Sequence, residues 1–166
     1  VRSRSNSIYW EKPDRTIVEV TIVNTNKNDS GANFNDMKLV GARAQNWLRQ
    51  EKSYRAFGTE LGRDATPLEA DLPRFVDLEK SFLGKEKMLE LGVRSKCVTF
   101  LIDGPDDADA WGREAIFFND KKIGRLTSGG FSVVFNKQIG MGYVTPEFAE
   151  IGQNVNVLIM GEMWPA

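Results

Sequence analysis

The strongest constraint on the fold is a series of short apolar runs between residue 93 and the end of the sequence. Each run has the length of a β-strand, and Gly, Pro, Asn or Asp residues that favour turns separate the runs. Short strands at this spacing predict a small antiparallel barrel or sandwich, because closure protects exposed strand edges. The six predicted strands are Lys96–Asp103, Glu114–Phe118, Ile123–Ser128, Phe131–Phe135, Gln138–Thr145 and Asn154–Met160.

Two adjacent glycines, Gly129 and Gly130, interrupt the apolar stretch that begins at Lys122. Glycine tolerates positive φ, which tight hairpin turns require. We therefore predict a hairpin turn at these two glycines. A nucleophilic serine in Thr127–Ser132 is disfavoured, because the segment lacks the strand-to-helix elbow of serine hydrolases and the lysine of a phosphate-binding loop.

Ahead of the strands, the sequence has helical character. Helices are predicted over Met37–Gln50 and from Lys85 to Leu91, the second ended by Gly92 in the position after the last helical residue. The fold class is α+β, a helical segment followed by a small antiparallel β-barrel. Three parts are predicted: a strand plus a polar loop in 1–36, the helical part in 37–92, and the barrel in 93–166. The strand of the first part is Thr16–Val23.

Composition excludes several kinds of chemistry. The chain has no histidine and one cysteine, so it cannot build a Cys/His metal site or a Ser-His or Cys-His triad by itself. That cysteine, Cys97, lies in an apolar run and is predicted to be a core residue. The 22 basic and 23 acidic residues are scattered, which argues against nucleic acid or a membrane surface as partner. We expect a reducing compartment, the cytoplasm or the mitochondrial matrix of a eukaryote.

The charged and aromatic residues allow mostly structural interpretations. The charge run Arg49, Glu51, Lys52 and Arg55 is interpreted as a solvated helix end with local ion pairs. An acidic cluster lacks the spacing of a calcium loop, so no metal site is predicted; its members are Asp103, Asp106, Asp107 and Asp109. Six aromatic residues are assigned to the core: Trp47, Trp111, Phe100, Phe117, Phe131 and Tyr143.

Three blocks of sequence, in order, resemble the folate-dependent aminomethyltransferase family, the family of the glycine-cleavage T-protein. They are Gly41–Leu61, Thr66–Glu86, and the glycine-bearing strands Lys122–Val144. Within the family, Tyr54–Leu61 and Glu69–Val76 are most similar to the C-terminal parts of dimethylglycine and sarcosine dehydrogenases. The resemblance covers most of the chain.

This resemblance implies the folate-binding C-terminal portion of an enzyme in which an FAD domain oxidises an N-methyl amine. The folate domain then captures the one-carbon unit as methylene-tetrahydrofolate. The implied cofactors are tetrahydrofolate and, elsewhere in the parent protein, FAD, since this chain has no Gly-x-Gly-x-x-Gly fingerprint. The implied partners are folate and the remainder of the parent enzyme, namely its FAD domain and its N-terminal folate subdomain. The chain is expected to be a C-terminal fragment, trimmed at both ends and not a complete catalyst.

Two residues are candidates for folate binding. Arg43 matches the family position that contacts folate, and a guanidinium can bind a carboxylate through two hydrogen bonds; the alternative is a structural salt bridge on a helix. Tyr54 can stack on a ligand, or it can lie at a domain seam. No catalytic residue is assigned, because the family's catalytic aspartate belongs to the part upstream of these blocks.

Two alternative functions stay open. The first is a T-protein that transfers an aminomethylene carbon from a lipoyl carrier to folate. The second is a non-catalytic relative that uses the same barrel for protein contacts, since fold does not determine function.

Overall fold

A computed structural model describes residues 7–11, 17–21, 41–105 and 107–166. The chain divides into two compact units, residues 1–45 and residues 46–166. In the first unit, β1 (Ser7–Glu11) and β2 (Ile17–Thr21) pair antiparallel. β2 lies within the run predicted as a strand, whereas the predicted polar loop lies outside the described residues. The three-part division of the chain stays a prediction.

Two α-helices precede the large sheet. α1 spans Ala42–Glu51, so the described part of the first predicted helix is helical; residues 37–40 lie outside the described part. α2 spans Lys85–Leu91, and its end is confirmed: Gly92 has φ 63°, and its N–H donates to the carbonyl of Met88 at 3.3 Å. A positive φ at this position favours glycine, which explains the stop. No helix in the described ranges is long and apolar enough to cross a membrane.

Six antiparallel strands form one sheet in the second unit, which confirms the predicted fold class. Spatially the strands follow the order β3-β6-β5-β4-β7-β8, and the two outer strands approach each other where the N–H of Asp103 donates to the carbonyl of Pro165 at 2.8 Å. The sheet is therefore barrel-like without a closed ladder. The strands are β3 Lys96–Ile102, β4 Ala115–Phe118, β5 Lys121–Ser132, β6 Lys137–Val144, β7 Asn156–Ile159 and β8 Glu162–Pro165.

The last strand, β8, was not expected from the sequence. It pairs with β7 across a two-residue turn, Met160 and Gly161, at φ 51° and 91°. Positive φ at both central residues matches the twist of paired strands and makes a tight hairpin. The sequence pattern does not predict this turn, because Met160 continues the apolar run and methionine rarely adopts a positive φ.

The predicted turn at Gly129 and Gly130 is wrong, because β5 continues through both glycines. The chain reverses instead between β5 and β6, where Asn136 has φ 50°. The glycines serve close packing. A Cβ at Gly129 would lie 2.3 Å from the carbonyl oxygen of Ala110, and one at Gly130 would lie 2.1 Å from Cδ1 of Trp47. Turn chemistry and close approach both select glycine, and the sequence pattern alone does not separate them.

We expect Gly130→Ala to destabilise the second unit by about 2 kcal/mol or more, because the methyl group must displace the Trp47 indole from its packed position. Gly62→Ala is the matched control, since its Cβ would meet no atom within 4 Å and its φ is not positive. Urea unfolding followed by tryptophan fluorescence measures both. Equal stability of the two variants would contradict the packing role of Gly130.

The hydrophobic core lies inside the curved sheet, where side chains from several strands meet. Cys97 is 1% exposed, so the prediction of a core cysteine is confirmed. Trp111 was assigned to the core, and this is wrong, because the side chain is 77% exposed. Its backbone N–H is instead held by the Glu114 carboxylate at 2.8 Å, in a turn that continues through Gly112 and Arg113 at positive φ. The central cluster comprises Phe100, Ile102, Ala110, Ile116, Ile123, Leu126, Val144, Val155, Val157 and Ile159.

Candidate functional site

The end of α1 is joined to β5 by a buried carboxylate, Glu60. Its side chain is 0% exposed and pairs with Arg49 of α1, with 2.8 Å between Nη1 and Oε2. From β5, Ser128 donates its hydroxyl to Oε1 at 2.5 Å and Thr127 donates at 2.8 Å. The N–H of Ala56 donates to Oε2 at 3.0 Å. Helix, loop and sheet are thus connected through one charged group.

Arg49 completes this connection from the helix side. Its Nη2 donates to the Ser128 hydroxyl at 2.7 Å, and its Nη1 also donates to the backbone carbonyl of Tyr54 at 2.9 Å. One guanidinium therefore fixes the turn that carries Tyr54 and the strand that faces the helix. Since Arg49 is largely buried, the expected solvated helix end is wrong for this residue.

Glu60 stays ionised although it is buried. Desolvation alone raises its pKa, but the hydrogen bonds from Ser128, the Ala56 N–H, Thr127 and Thr59 outweigh burial, so the pKa lies below its ordinary value of 4.5. The carboxylate accepts hydrogen bonds and has no proton to donate near neutral pH. The position of Glu60 indicates that it joins α1 to β5 at the candidate site and does not act as a general acid.

A second buried carboxylate, Glu69, fixes the segment that follows. Arg94 donates to it from Nε at 2.9 Å and from Nη2 at 3.1 Å. Thr66 exchanges hydrogen bonds with Glu69, its N–H donating to the carboxylate at 2.8 Å and its hydroxyl accepting from the Glu69 N–H at 3.2 Å. Desolvation raises the pKa of Glu69, but these bonds, led by that from Arg94, lower it to about 2.

Two other titratable groups near these carboxylates are unsuited to proton transfer near pH 7. Burial is the main cause that raises the pKa of the Cys97 thiol to about 11. Burial also raises the pKa of Tyr143, whose hydroxyl donates to the backbone carbonyl of Glu60 at 2.7 Å. Both groups stay protonated, and neither is an activated nucleophile or base.

The two predicted folate contacts lie in different units. Arg43 is the second residue of α1, is exposed, and belongs to the unit of residues 1–45. Tyr54 follows α1, is 60% exposed, and belongs to the unit of residues 46–166. The assignment of Arg43 and Tyr54 to folate binding stays a prediction.

Tyr54 lines a cleft of about 610 Å³, which we call the Tyr54 cleft. It is formed by residues 52–55, in the turn after α1, and residues 71–75. A second cleft, of about 620 Å³, shares Ser53, Arg55 and Asp71 with it. Arg55 and Asp71 form an ion pair, with 3.4 Å between Nη2 and Oδ2. This pair lines both clefts. Arg55 is 12% exposed, so it too departs from the expected solvated helix end.

The acidic turn after β3 contains an ion pair. Asp103, in this turn, forms an ion pair with Lys137 at 2.6 Å, and both side chains are about half exposed. In the described part of the chain, no three His, Cys, Asp or Glu side chains are grouped so that they could hold a metal ion. Asp106 lies outside the described residues.

Comparison with known proteins places the sheet in a family. The sequence profile of the glycine cleavage T-protein C-terminal barrel domain matches residues 96–166, the residues that form the six-stranded sheet. This part of the chain is a glycine cleavage T-protein C-terminal barrel domain. The resemblance inferred from the three sequence blocks is confirmed.

The T-protein barrel and the residues ahead of it are similar to two kinds of enzyme. Human mitochondrial dimethylglycine dehydrogenase is 34% identical over 164 residues, which cover 96% of this chain and 18% of that protein. An aminomethyltransferase of Desulfitobacterium hafniense is 40% identical over 127 residues, covering 74% of this chain and 34% of that protein. The chain therefore spans about a fifth to a third of the length of these relatives.

A solved structure agrees with this assignment. The crystal structure of glycine cleavage system aminomethyltransferase T from Bartonella henselae superposes with a TM-score of 0.66 at 27% sequence identity. The similarity covers 74% of this chain and 36% of that one. The T-protein barrel and part of the sequence ahead of it thus share a fold with a known aminomethyltransferase.

Sequence reasoning missed Glu60 and Glu69. A signal existed for Glu69, because Thr66-Pro-Leu-Glu69 has the spacing of a capping box, in which the Thr and Glu exchange hydrogen bonds. Glu60 has no comparable local signal. Its partners Arg49 and Ser128 are 11 residues before it and 68 residues after it, so only the fold brings them together.

Proposed function

We propose that the chain is the tetrahydrofolate-binding C-terminal portion of an FAD-dependent demethylating dehydrogenase acting on an N-methyl amine of the dimethylglycine or sarcosine type. In the proposed reaction, the one-carbon unit released by amine oxidation is transferred to tetrahydrofolate, giving methylene-tetrahydrofolate. The observation that carries this proposal is the extent of similarity. The match to dimethylglycine dehydrogenase covers 96% of the chain, whereas the match to the aminomethyltransferase covers 74%.

In this proposal the chain binds and orients folate, and proton transfer takes place elsewhere in the parent enzyme. The titratable groups described above support this division, since Glu60 and Glu69 are ionised in saturated networks and Cys97 stays protonated. Holding a reactant in the productive orientation contributes to catalysis without any chemical step by the binding residues. Arg43 and Tyr54 are each proposed, independently of one another, as a folate contact.

The FAD of the proposed parent enzyme does not fit the described residues. Dinucleotide sites are built on a parallel βαβ unit with a glycine-rich turn. The described strands of this chain pair antiparallel in every ladder that the named strands form. We therefore assign FAD to the remainder of the parent enzyme, which together with an N-terminal folate subdomain is the proposed partner of this chain. The mitochondrial matrix or a bacterial cytoplasm is the proposed location.

A second candidate is a T-protein aminomethyltransferase. The higher identity, 40% over the 127 matched residues, favours it. The flavin absorbance spectrum of the full-length parent protein separates the two candidates. Bound flavin supports the demethylating dehydrogenase, and a parent protein without flavin supports the aminomethyltransferase.

Calorimetric titration of the chain with tetrahydrofolate tests the binding proposal. We expect Arg43→Ala to weaken the affinity about tenfold, because hydrogen bonds to a charged group typically contribute about 1.5–3 kcal/mol. Arg63→Ala is the matched control, an exposed arginine outside α1. Equal affinities of wild type and Arg43→Ala would remove Arg43 from the site. No binding by the wild-type chain would overturn the proposal that this chain binds folate.

A further inference from the structure

Among the described residues, the edge of β3 that faces away from β6 is bonded only near its two ends. Near the start of the strand, the N–H of Cys97 donates to the carbonyl of Glu69 at 2.8 Å. Just past its end, the N–H of Asp103 donates to the carbonyl of Pro165, also at 2.8 Å. The ladder with β6 occupies the opposite edge along the whole strand. The backbone between the two bonds therefore forms a gap at the outside of the sheet.

Thr99 and Leu101 lie in this gap. Backbone groups alternate in direction along an antiparallel strand, so these two residues point the same way as Cys97 and Asp103. Among the residues that the structure describes, none bonds to the N–H or the C=O of either one. The Thr99 side chain is exposed, and that of Leu101 is 42% exposed. Two donors and two acceptors thus stand open in one row.

The two outer strands of the sheet differ in how they are protected against a further strand. Exposed edges are ordinarily short, charged, bulged or interrupted by proline. β8 has four residues and ends in Pro165, which has no N–H. β3 has seven residues, no proline and no bulge in its ladder with β6, and its one charged residue is Lys96 at the start. The β3 edge thus has the features of a strand that is paired on both sides.

The second of the two clefts described above runs along this edge, and we call it the β3 edge cleft. It has a volume of about 620 Å³ and is lined on one side by residues 96–101 and on the other by residues 148–154. Neighbouring strands lie about 4.7–4.9 Å apart, so an added strand needs open space directly beside β3. The fully exposed Ile151 and the half-exposed Leu101 offer apolar contacts to its side chains.

The chemistry of the β3 edge cleft selects a peptide backbone and not a charged ligand. Its charged side chains balance, two basic and two acidic: Arg55, Lys96, Asp71 and Glu150. The unused polar groups are backbone N–H and C=O, in the alternating order in which a strand presents its own. A segment that adds to a sheet edge gains affinity from backbone hydrogen bonds and specificity from alternate side chains. In antiparallel register, three residues of such a segment suffice for four hydrogen bonds with Thr99 and Leu101.

The length of the relatives indicates where such a segment comes from. This chain spans 18% of human dimethylglycine dehydrogenase and 36% of the solved aminomethyltransferase of Bartonella henselae. Most of a parent enzyme of that length lies outside residues 1–166. A segment of the same polypeptide is present at a high effective concentration, so a contact of only four hydrogen bonds can persist.

We propose that an extended segment of the parent enzyme, from outside residues 1–166, pairs antiparallel with β3 at Thr99 and Leu101 and occupies the β3 edge cleft. The inference rests on the proposed function in one respect, that the chain is part of a longer enzyme. It concerns the assembly of that enzyme and involves no small-molecule ligand. The residues opposite Thr99 and Leu101 are not proline, because each must donate an N–H.

Hydrogen–deuterium exchange, resolved to single amides by mass spectrometry, tests the pairing in this chain and in the full-length parent enzyme. We expect the Thr99 and Leu101 amides to exchange about a hundredfold more slowly in the parent enzyme than in this chain, because a ladder bond must open before exchange. The amides of Cys97 and Asp103 are bonded in this chain already and serve as the internal reference. Rapid exchange of Thr99 and Leu101 in the parent enzyme would overturn the proposal.

Two results in this chain alone would also overturn it. Slow exchange of Thr99 and Leu101 at every protein concentration would show that residues of this chain already occupy the edge. Exchange that slows as the protein concentration rises would identify a second copy of the chain as the occupant.

A pair of variants separates the backbone bond from the side chain. Leu101→Pro removes the outward N–H and no bond to β6, and proline is tolerated at strand edges of this kind. In the parent enzyme we expect this variant to speed the exchange of the Thr99 amide about tenfold, because the added strand loses a hydrogen bond beside it. Leu101→Ala keeps the N–H and is the matched control, with an expected change of less than about threefold. An equally small change in Leu101→Pro would contradict the pairing.

The same variants of this chain show whether the fold is retained. The Cys97 and Asp103 amides should stay as slow in Leu101→Pro as in wild type, since the open edge has no strand to lose. If they do not, the comparison of wild-type chain and parent enzyme decides the proposal.

Flavin and folate binding by the same parent enzyme separate this inference from the proposed function. A parent enzyme that protects both amides but binds neither flavin nor tetrahydrofolate supports the inference and overturns the proposed function. A parent enzyme that binds both ligands but exchanges the two amides rapidly supports the proposed function and overturns the inference. If it neither binds the ligands nor protects the amides, both proposals fail.

Discussion

Glu60→Gln is expected to destabilise the second unit by about 3 kcal/mol. This is the lower end of the range measured when one partner of a buried ion pair is removed. The substitution leaves the Arg49 guanidinium without its counter-charge, and it turns one amide N–H₂ group toward donors. Oε1 accepts from Ser128 and Thr127, and Oε2 accepts from Arg49 and Ala56, so both oxygens are needed as acceptors. A neutral amide of the same shape cannot satisfy both sets.

Thermal and urea unfolding at pH 7 measure this effect, which corresponds to a fall in melting temperature on the order of 10 °C. Glu79→Gln is the matched control, an exposed glutamate whose replacement should change stability by less than about 0.5 kcal/mol. A double-mutant cycle with Arg49→Met isolates the coupling between the two charges. A loss below about 1 kcal/mol in Glu60→Gln would show that the carboxylate is not the joint between α1 and β5.

The sequence predicted the strands better than the contacts between them. Alternating apolar runs and turn residues gave β3, β4, β6 and β7 to within a few residues at each end. Gly92 gave the end of α2 for the correct reason, a positive φ. These features depend on the residues within one segment, where periodicity and local conformation are readable.

The errors arose where a distant residue decides the outcome. Gly129 and Gly130 are glycines because Ala110 and Trp47 approach them, and neither contact is visible in the local pattern. Arg49 was interpreted as a solvated charge because its partner Glu60 lies beyond the end of its helix. The residues of the Tyr54 cleft could not be predicted from the sequence for the same reason, since residues 52–55 and 71–75 meet only in the folded chain.

Acid is expected to weaken the fold through Glu69, the second large effect. Its pKa is about 2 in the folded chain against an ordinary value of 4.5. A carboxylate whose pKa is lowered by folding stabilises the protein fully above the unfolded value, and this contribution is lost as the pH falls from about 4.5 toward 2. Between pH 6 and pH 3 we expect it to fall by about 1–2 kcal/mol, because the half-exposed Arg94 is partly screened by solvent.

Urea unfolding of wild type and Glu69→Gln at pH 6, 4.5 and 3 measures this contribution. The variant should be less stable at pH 6, and the difference between the two proteins should shrink by pH 3. The reason is that Glu69 of the unfolded wild type takes up a proton below about pH 4.5, and the wild type thereby loses stability that the variant has already lost. Glu90→Gln is the control, an exposed partner of Lys87 whose loss should leave the shape of the pH curve unchanged. If the free energies of unfolding of wild type and Glu69→Gln change in parallel with pH, the hydrogen bonds to Glu69 do not lower its pKa. The segment that leads to the Tyr54 cleft is then fixed by some other contact.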